Sequence, residues 1–449
     1  MRKLSILAMI FLVAFTMVSL TGGDFVIYAA APPALDAETA VLMDQRTGQI
    51  LYAKDGDKQM YPASTTKILT ALVAVEQGDL DEVITVGNEV LHIPIDSSKA
   101  GLSVGDTISL RELIYGLMLP SGNDAAYTIA VHFGRRRLGD PRAGVQEAVA
   151  AFAELMNQRA RELGAVATQF TVPDGYHRAE HYTTARDLAL IARAALEHPF
   201  IREVAATGRY VPEAWTGPHV RPWGNTNQLV RPYQFGYQYA TGLKTGYTGQ
   251  AGFCMVGSAA RGDLELIAVV LNTSKDGRWL DTTALLEYGF ENFAWQQLVE
   301  ADQVLATVKV SGQDVHEPET IDLTAAQGFG STFPLADIPR IEKDVIVFPK
   351  SPGQSPGGAA AADSRTVSAP LEKGQVLGEV VFSLDGRELF RTELLATQAV
   401  AAMPWWRKAL LPGGLSLGLG LTVLLLIKQR RRRRRRRFVF QGGTRRIGL

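Results

Sequence analysis

Ser64 and Lys67 stand three residues apart in Pro62-Ala63-Ser64-Thr65-Thr66-Lys67-Ile68-Leu69-Thr70-Ala71-Leu72-Val73, and this stretch predicts a helix that carries a nucleophile. Pro62 suits a first helical turn, where its missing N–H costs nothing, and Ile68, Leu69, Leu72, Val73 and Val75 carry the run to a stop at Gly78. Apolar nearly all round, the helix is expected to be buried. Residues at i and i+3 share a face, so the hydroxyl and the amine can touch. A serine hydroxyl is a poor nucleophile until a base takes its proton, and a lysine can be that base if desolvation or a nearby cation lowers its pKa. The helix N-terminus also favours the negative charge that develops there. Taken alone, the four-residue pattern reads more readily as a capping serine with a surface lysine.

Two further tracts answer that alternative. Leu119-Pro120-Ser121-Gly122-Asn123-Asp124 reads as a turn between a helical run, Leu110 to Met118, and a helix from about Ala125 to His132, which puts Ser121 and Asn123 at a loop tip. Lys244-Thr245-Gly246 lies in a strand that ends near Tyr247. A helix start, a loop tip and a strand thus bring hydroxyls, amines and an amide together in chain order, the set that acyl transfer through a serine requires.

The elements that must position them read as one α+β unit. Ala40 to Asp44 and Ile50 to Tyr52 form a hairpin around Thr47-Gly48, and Phe253 to Gly257 and Leu264 to Leu271 join the Lys244 strand. A helix from about Trp279 to Phe293 closes the unit. Two strands first, helices in the middle and three strands last make the chain ends pair in one antiparallel sheet. Thr184-Ala185-Arg186-Asp187 caps a helix stopped by Pro199, and Gly134 to Gly144, with Arg135, Arg136 and Arg137, reads as a basic surface loop. His177 and His181 flank Glu180 at a spacing that invites a metal, but their setting is a loop and no third ligand is in view, so no metal is expected. The single cysteine, Cys254, excludes an internal disulfide and sits in an apolar strand as a buried, inert thiol.

Outside this unit, residues 1–31 combine Arg2 and Lys3, an apolar run from Leu4 to Leu20 and Ala29-Ala30-Ala31, the pattern of a secretory signal peptide, with an uncleaved anchor as the competing reading. Residues 32–298 are assigned to the first domain and 299–398 to a small β domain with a disordered insert at 351–370, rich in Pro, Gly and Ala from Ser351 to Ala362. Residues 405–427 are expected to form a transmembrane helix, charge-free from Ala409 to Ile427, with Trp405 and Trp406 at the interface. Residues 428–449, with arginines from 430 to 437, then form a basic cytoplasmic tail with affinity for anionic lipid, which places the folded domains on the extracytoplasmic side. Lys+Arg and Asp+Glu are equal at 46 each, so the whole chain gives no reason to expect a nucleic-acid partner.

Ser64-Thr65-Thr66-Lys67, Ser121-Gly122-Asn123 and Lys244-Thr245-Gly246, with Tyr182-Thr183-Thr184-Ala185-Arg186-Asp187 and Gly242 to Thr248, resemble the low-molecular-weight penicillin-binding proteins that act as serine D-alanyl-D-alanine carboxypeptidases. The resemblance runs over about residues 35 to 395. It implies a transpeptidase fold of the penicillin-binding-protein and serine β-lactamase type, followed by a small all-β domain and a C-terminal membrane anchor. It implies that Ser64 attacks the penultimate D-Ala carbonyl of a peptidoglycan stem peptide, Lys67 is the base, Ser121 relays a proton to the leaving amine and Asn123 holds the substrate backbone. Lys244 and Thr245 would bind the terminal carboxylate and Gly246 would line the substrate site, with Lys244 helping to keep Lys67 neutral. The backbone N–H groups of Ser64 and Tyr247 would form the oxyanion hole, donors often worth roughly 3 kcal/mol each. No cofactor is implied; β-lactams are implied as inhibitors that acylate Ser64, and cell-wall remodelling as the role.

Val172 before Pro173-Asp174-Gly175, where relatives often carry Asn, and Ala240-Thr241, where an acidic residue is frequent, depart from the family pattern beside the site. Two alternatives stay open: a serine β-lactamase, for which Glu180 lies in the interval that could supply the deacylating carboxylate, and an inactive, membrane-anchored wall-binding protein.

Overall fold

Thr39–Asp44 is buried at every position, as a strand covered on both faces must be. It sits inside a five-stranded antiparallel sheet of order Ile50–Lys54, Thr39–Asp44, Leu264–Thr273, Gly252–Arg261, Ala240–Thr248. Val41 pairs with Val269 and Val269 with Val256, so the first and last parts of the unit are stitched together across more than two hundred residues of chain. The twofold alternation of side chains divides the core. Val41, Met43, Ile267, Val269 and Val256 pack with Ile68, Leu69 and Leu72 on one face, while Ala40, Leu42, Leu266, Ala268 and Val270 pack with Trp279, Leu285 and Leu286 of the helix Gly277–Asn292 on the other.

The computed structural model describes residues 31–217, 220–232, 234–348, 365–407 and 422–433. Two units result, residues 1–296 with 331–339 and residues 297–330 with 340–449. In the first, the helix Lys67–Gln77 is the centrepiece: every residue from Lys67 to Val75 is buried. The expected helix start at Pro62 is instead a tight 3-10 turn, Ala63–Thr66. Thr65 and Thr66 donate their hydroxyls back to the Pro62 and Ala63 carbonyls at 2.7 and 2.9 Å, which draws the turn tighter than an α-helix.

The arginines expected in a loop belong to a helix, Asn123–Leu138, which continues until Gly139 caps it at φ +66°. Nothing from Ala125 to Leu138 except Gly134 breaks a helix, and three arginines in the last turn complement its C-terminal dipole.

The second unit is a six-stranded sheet of order Ile341–Val347, Val376–Leu384, Arg387–Ala396, Thr320–Ala325, Val304–Ser311, Thr366–Ser368, with Val308, Leu323, Val380 and Leu394 in its core. The insert expected to be disordered over 351–370 is shorter at its end, because Val367 is buried in that core and Thr366–Ser368 pairs with Lys309–Ser311. Residues 351–364 lie outside the described residues, as do 1–30 of the expected signal peptide. The expected span 405–427 also falls largely there, at 408–421; among the described residues no helix is long and apolar enough to cross a membrane.

Candidate functional site

The tight turn, the loop tip and the edge strand meet around a cavity of about 760 Å³ lined by Ser64, Ser121, Asn123, Asp174, Thr245, Gly246, Tyr247 and Arg278. Gly246 lets the strand approach: a Cβ there would lie 3.0 Å from both Ser64 N and Pro62 O. Gly175, at φ +78°, does the same from the opposite wall, where a Cβ would collide with the Ala63 carbonyl. Ala63 and Ser121, neither of them glycine, hold left-handed backbones at φ +48° and +63°.

Lys67 is fully buried, and burial pulls its pKa down to about 8 against the opposing pull of the Asp174 and Asp124 carboxylates. Its Nζ lies 2.9 Å from Ser64 Oγ, 2.7 Å from Asn123 Oδ1 and 2.7 Å from the Asp174 carbonyl oxygen. A neutral amine has two N–H donors and one lone pair. The two carbonyl acceptors take the donors, which leaves the lone pair for the Ser64 hydroxyl. The first turn of the Asn123–Leu138 helix thus supplies Asn123, and Asp124 beside it anchors the loop Ala100 to Leu102 by accepting the backbone N–H groups of Ala100, Gly101 and Leu102.

Lys244 lies behind the cavity wall, fully buried, donating to the Thr245 carbonyl at 3.0 Å. Burial drives its pKa well down, and the charges of Lys67 and Arg278 push the same way. Thr245 Oγ1 and Thr226 Oγ1 share a hydrogen bond of 2.9 Å. Tyr247 stacks on Phe253 at 4.3 Å between ring centres, and the Arg278 guanidinium lies 4.7 Å from the centre of the Phe253 ring.

Arg278 escaped the sequence reasoning. It is half-buried, its Nε has no hydrogen-bond partner among the described residues, and it presents a cation to the cavity at the start of the Gly277–Asn292 helix. In the sequence it is one arginine after Ser274-Lys275-Asp276-Gly277, with no periodic or motif signal to separate it from a surface residue. Asp174 was noticed only as part of a variant turn, although it is buried and lines the cavity.

The histidine pair resolves into structure. His181 is buried, accepts the Thr171 N–H on Nδ1 at 3.0 Å and meets Thr66 Oγ1 through Nε2 at 2.8 Å, so neither nitrogen is free for a metal. Burial, aided by the Arg178 charge, depresses its pKa to about 3. Glu180 is exposed and does not line the cavity, which removes the carboxylate proposed for a β-lactamase.

Residues 27–275 match the family model described as D-alanyl-D-alanine carboxypeptidase, and residues 293–402 match the C-terminal domain of penicillin-binding protein 5. The chain is 30% identical to D-alanyl-D-alanine carboxypeptidase DacF of Bacillus subtilis over 83% of its own length and 87% of that protein's. It is also 30% identical to DacA of Escherichia coli over 82% of this chain and 84% of that one. Penicillin-binding protein 5 from Haemophilus influenzae superposes with a TM-score of 0.60 at 29% identity, covering 83% of this chain and 99% of the other. The DD-transpeptidase of Streptomyces K15 superposes with a TM-score of 0.54 at 35% identity, covering 58% and 99%.

Proposed function

The chain belongs to the D-alanyl-D-alanine carboxypeptidase family, and on that premise we propose that it removes the terminal D-Ala from peptidoglycan stem peptides through an acyl-enzyme on Ser64. The observation that carries this reading is the hydrogen-bond set of Lys67, two acceptors and one hydroxyl, which suits a neutral amine aimed at Ser64 Oγ. Ser64 Oγ attacks the penultimate D-Ala carbonyl while its proton passes to Lys67 Nζ. The backbone N–H groups of Ser64 and Tyr247 receive the oxyanion. Ser121, at the cavity wall, passes a proton to the departing D-Ala amine. The Lys67 ammonium restores the proton to Ser121; water then attacks the ester carbonyl, one of its protons passing through Lys67 to Ser64 Oγ as the ester C–O bond breaks and the shortened peptide leaves as its carboxylic acid.

Thr245 and Gly246 bind the substrate along the strand and Arg278 draws the terminal carboxylate into place, while Lys244, whose ammonium burial disfavours, braces the strand from behind through the Thr245 carbonyl. A β-lactam enters as a mimic of D-Ala-D-Ala and acylates the same oxygen. The sequence pattern supports a placement outside the cytoplasmic membrane, with the anchor at 405–427 in lipid, the arginine tail inside and the enzyme at work on the cell wall. On intact cells external protease is expected to spare that tail, and its digestion would refute the topology.

The activity is tested by D-Ala release from a muramyl pentapeptide, comparing the full chain in detergent with Ser64→Ala. Release and a covalent penicillin adduct that both vanish in the variant are expected. An adduct that persists without the Ser64 hydroxyl would sink the assignment.

A further inference from the structure

We propose that Asp174 is a positioning residue for Lys67, its buried carboxylate favouring through space, without direct contact, the ammonium that forms when Lys67 takes the Ser64 proton. The inference rests on the acyl-enzyme reading above. It adds a charge partner that the three motifs do not contain.

Two carboxylates act on Lys67, and their surroundings differ. Asp124 is spent: its oxygens accept from the backbone N–H groups of Ala100, Gly101, Leu102 and Ala125 at 2.7 to 3.0 Å. Asp174 is not. Its Oδ1 accepts one N–H, that of Tyr176 at 3.1 Å, and its Oδ2 is buried without a hydrogen-bond partner among the described residues. Burial raises the Asp174 pKa, and the Lys67 charge is the largest influence that opposes this, so a carboxylate so poorly solvated by donors gains most when that charge appears. The residue is also fixed to the chemistry by its own backbone, since its carbonyl oxygen takes the Lys67 Nζ donor at 2.7 Å and lies 3.4 Å from Ser64 Oγ. Gly175, pressed on the Ala63 carbonyl, and Thr70, whose hydroxyl donates to the Pro173 carbonyl at 2.6 Å, pin the segment on both sides of it.

In the attack the Ser64 O–H bond breaks, its proton goes to Lys67 Nζ and the oxygen lone pair forms the new C–O bond. Asp174 takes no proton. It stabilises the ammonium through space as that charge appears; unlike the aspartate of a serine triad, its carboxylate makes no hydrogen bond to the base. The other groups that face this pair are cationic or neutral: Arg278 and Arg178 are cationic, Lys244 on the edge strand has its ammonium disfavoured by burial, His181 is held neutral, His177 lines the cavity, and Tyr127 on the Asn123–Leu138 helix is neutral. Asp174 is therefore the carboxylate with capacity left to offset the positive side of the site.

Asp174→Asn keeps the shape and the Tyr176 hydrogen bond while removing the charge. The second-order rate of penicillin acylation and kcat/KM for D-Ala release are measured from about pH 5 to pH 10 on wild type and variant. Without the carboxylate the Lys67 ammonium is less favoured, so the acid limb is expected to move to lower pH by about one unit, with kcat down about tenfold and KM nearly unchanged. Asp174→Ser, which removes the charge with a smaller side chain, must move the limb the same way. A limb that stays in place or moves up in both variants overturns the proposal, including when the rate falls, since a merely structural loss lowers the rate without moving the limb. Failure of the wild type to release D-Ala through Ser64 would instead strike the underlying reading, so the two failures are distinct.

Discussion

His181, held neutral by burial, makes the catalytic unit acid-sensitive. Its imidazole titrates near 6.5 when unfolded and is depressed by burial to about 3 in the fold. Because the folded pKa lies below the unfolded one, the unfolded chain binds the extra proton. Stability is therefore complete above about pH 6.5 and falls as pH drops, until the folded imidazole itself protonates near pH 3. Each pH unit in that window costs roughly 1 kcal/mol or slightly more, so at pH 4.5 the wild type has lost roughly 3 kcal/mol through this one residue. His181→Gln retains a donor for Thr66 and an acceptor for the Thr171 N–H but does not titrate. At pH 7 the variant should be weaker by about 1–2 kcal/mol, the cost of imperfect buried hydrogen bonds. At pH 4.5 the order should vanish or reverse. Urea unfolding, followed by the fluorescence of Trp215, Trp223 and Trp279 buried in this unit, reads both values. Carboxylates contribute equally to both proteins, so the difference between them isolates the imidazole. An equal loss in wild type and variant between the two pH values would refute the buried neutral histidine.

Acylation by penicillin should rise with pH through about 8, where Lys67 becomes a free amine, and a flat stopped-flow profile would count against it as the base. Gly246→Ala should slow acylation about tenfold or more with a smaller effect on melting temperature, because its Cβ would press 3.0 Å from Ser64 N and displace the strand from the nucleophile. Arg278→Leu should raise KM for D-Ala-D-Ala peptides about tenfold while leaving the protein folded; an unchanged KM would remove the carboxylate-binding role.

Much of this site is legible in the chain because its parts are local. Ser64 and Lys67 are linked by one turn, Ser121 and Asn123 by one loop tip, and Thr245 and Gly246 by one strand, so spacing alone groups them. The central strands of the sheet also declare themselves as continuous apolar runs, Ala40 to Met43, Phe253 to Val256 and Leu266 to Leu271, as strands covered on both faces do. What spacing cannot report is which distant residue closes the cavity. Arg278 arrives from the far side of the sheet and Asp174 from a loop, and neither belongs to a periodic run. The basic segment at Arg135 to Arg137 differs for another reason: a run of charge suits an exposed loop and a helix C-terminus alike, and here it is the latter.

Ala63 and Ser121 stand on either side of the reacting hydroxyl with backbones that a side chain resists, each at a cost of order 1–3 kcal/mol. The scaffold thus carries tension just where the nucleophile and its proton relay are held, and glycine at either position would release it. Selection for heat resistance alone would be drawn to those two sites first, and each step gained there would loosen the turn that aims the hydroxyl. Resilience and turnover pull in opposite directions on the same two backbone torsions.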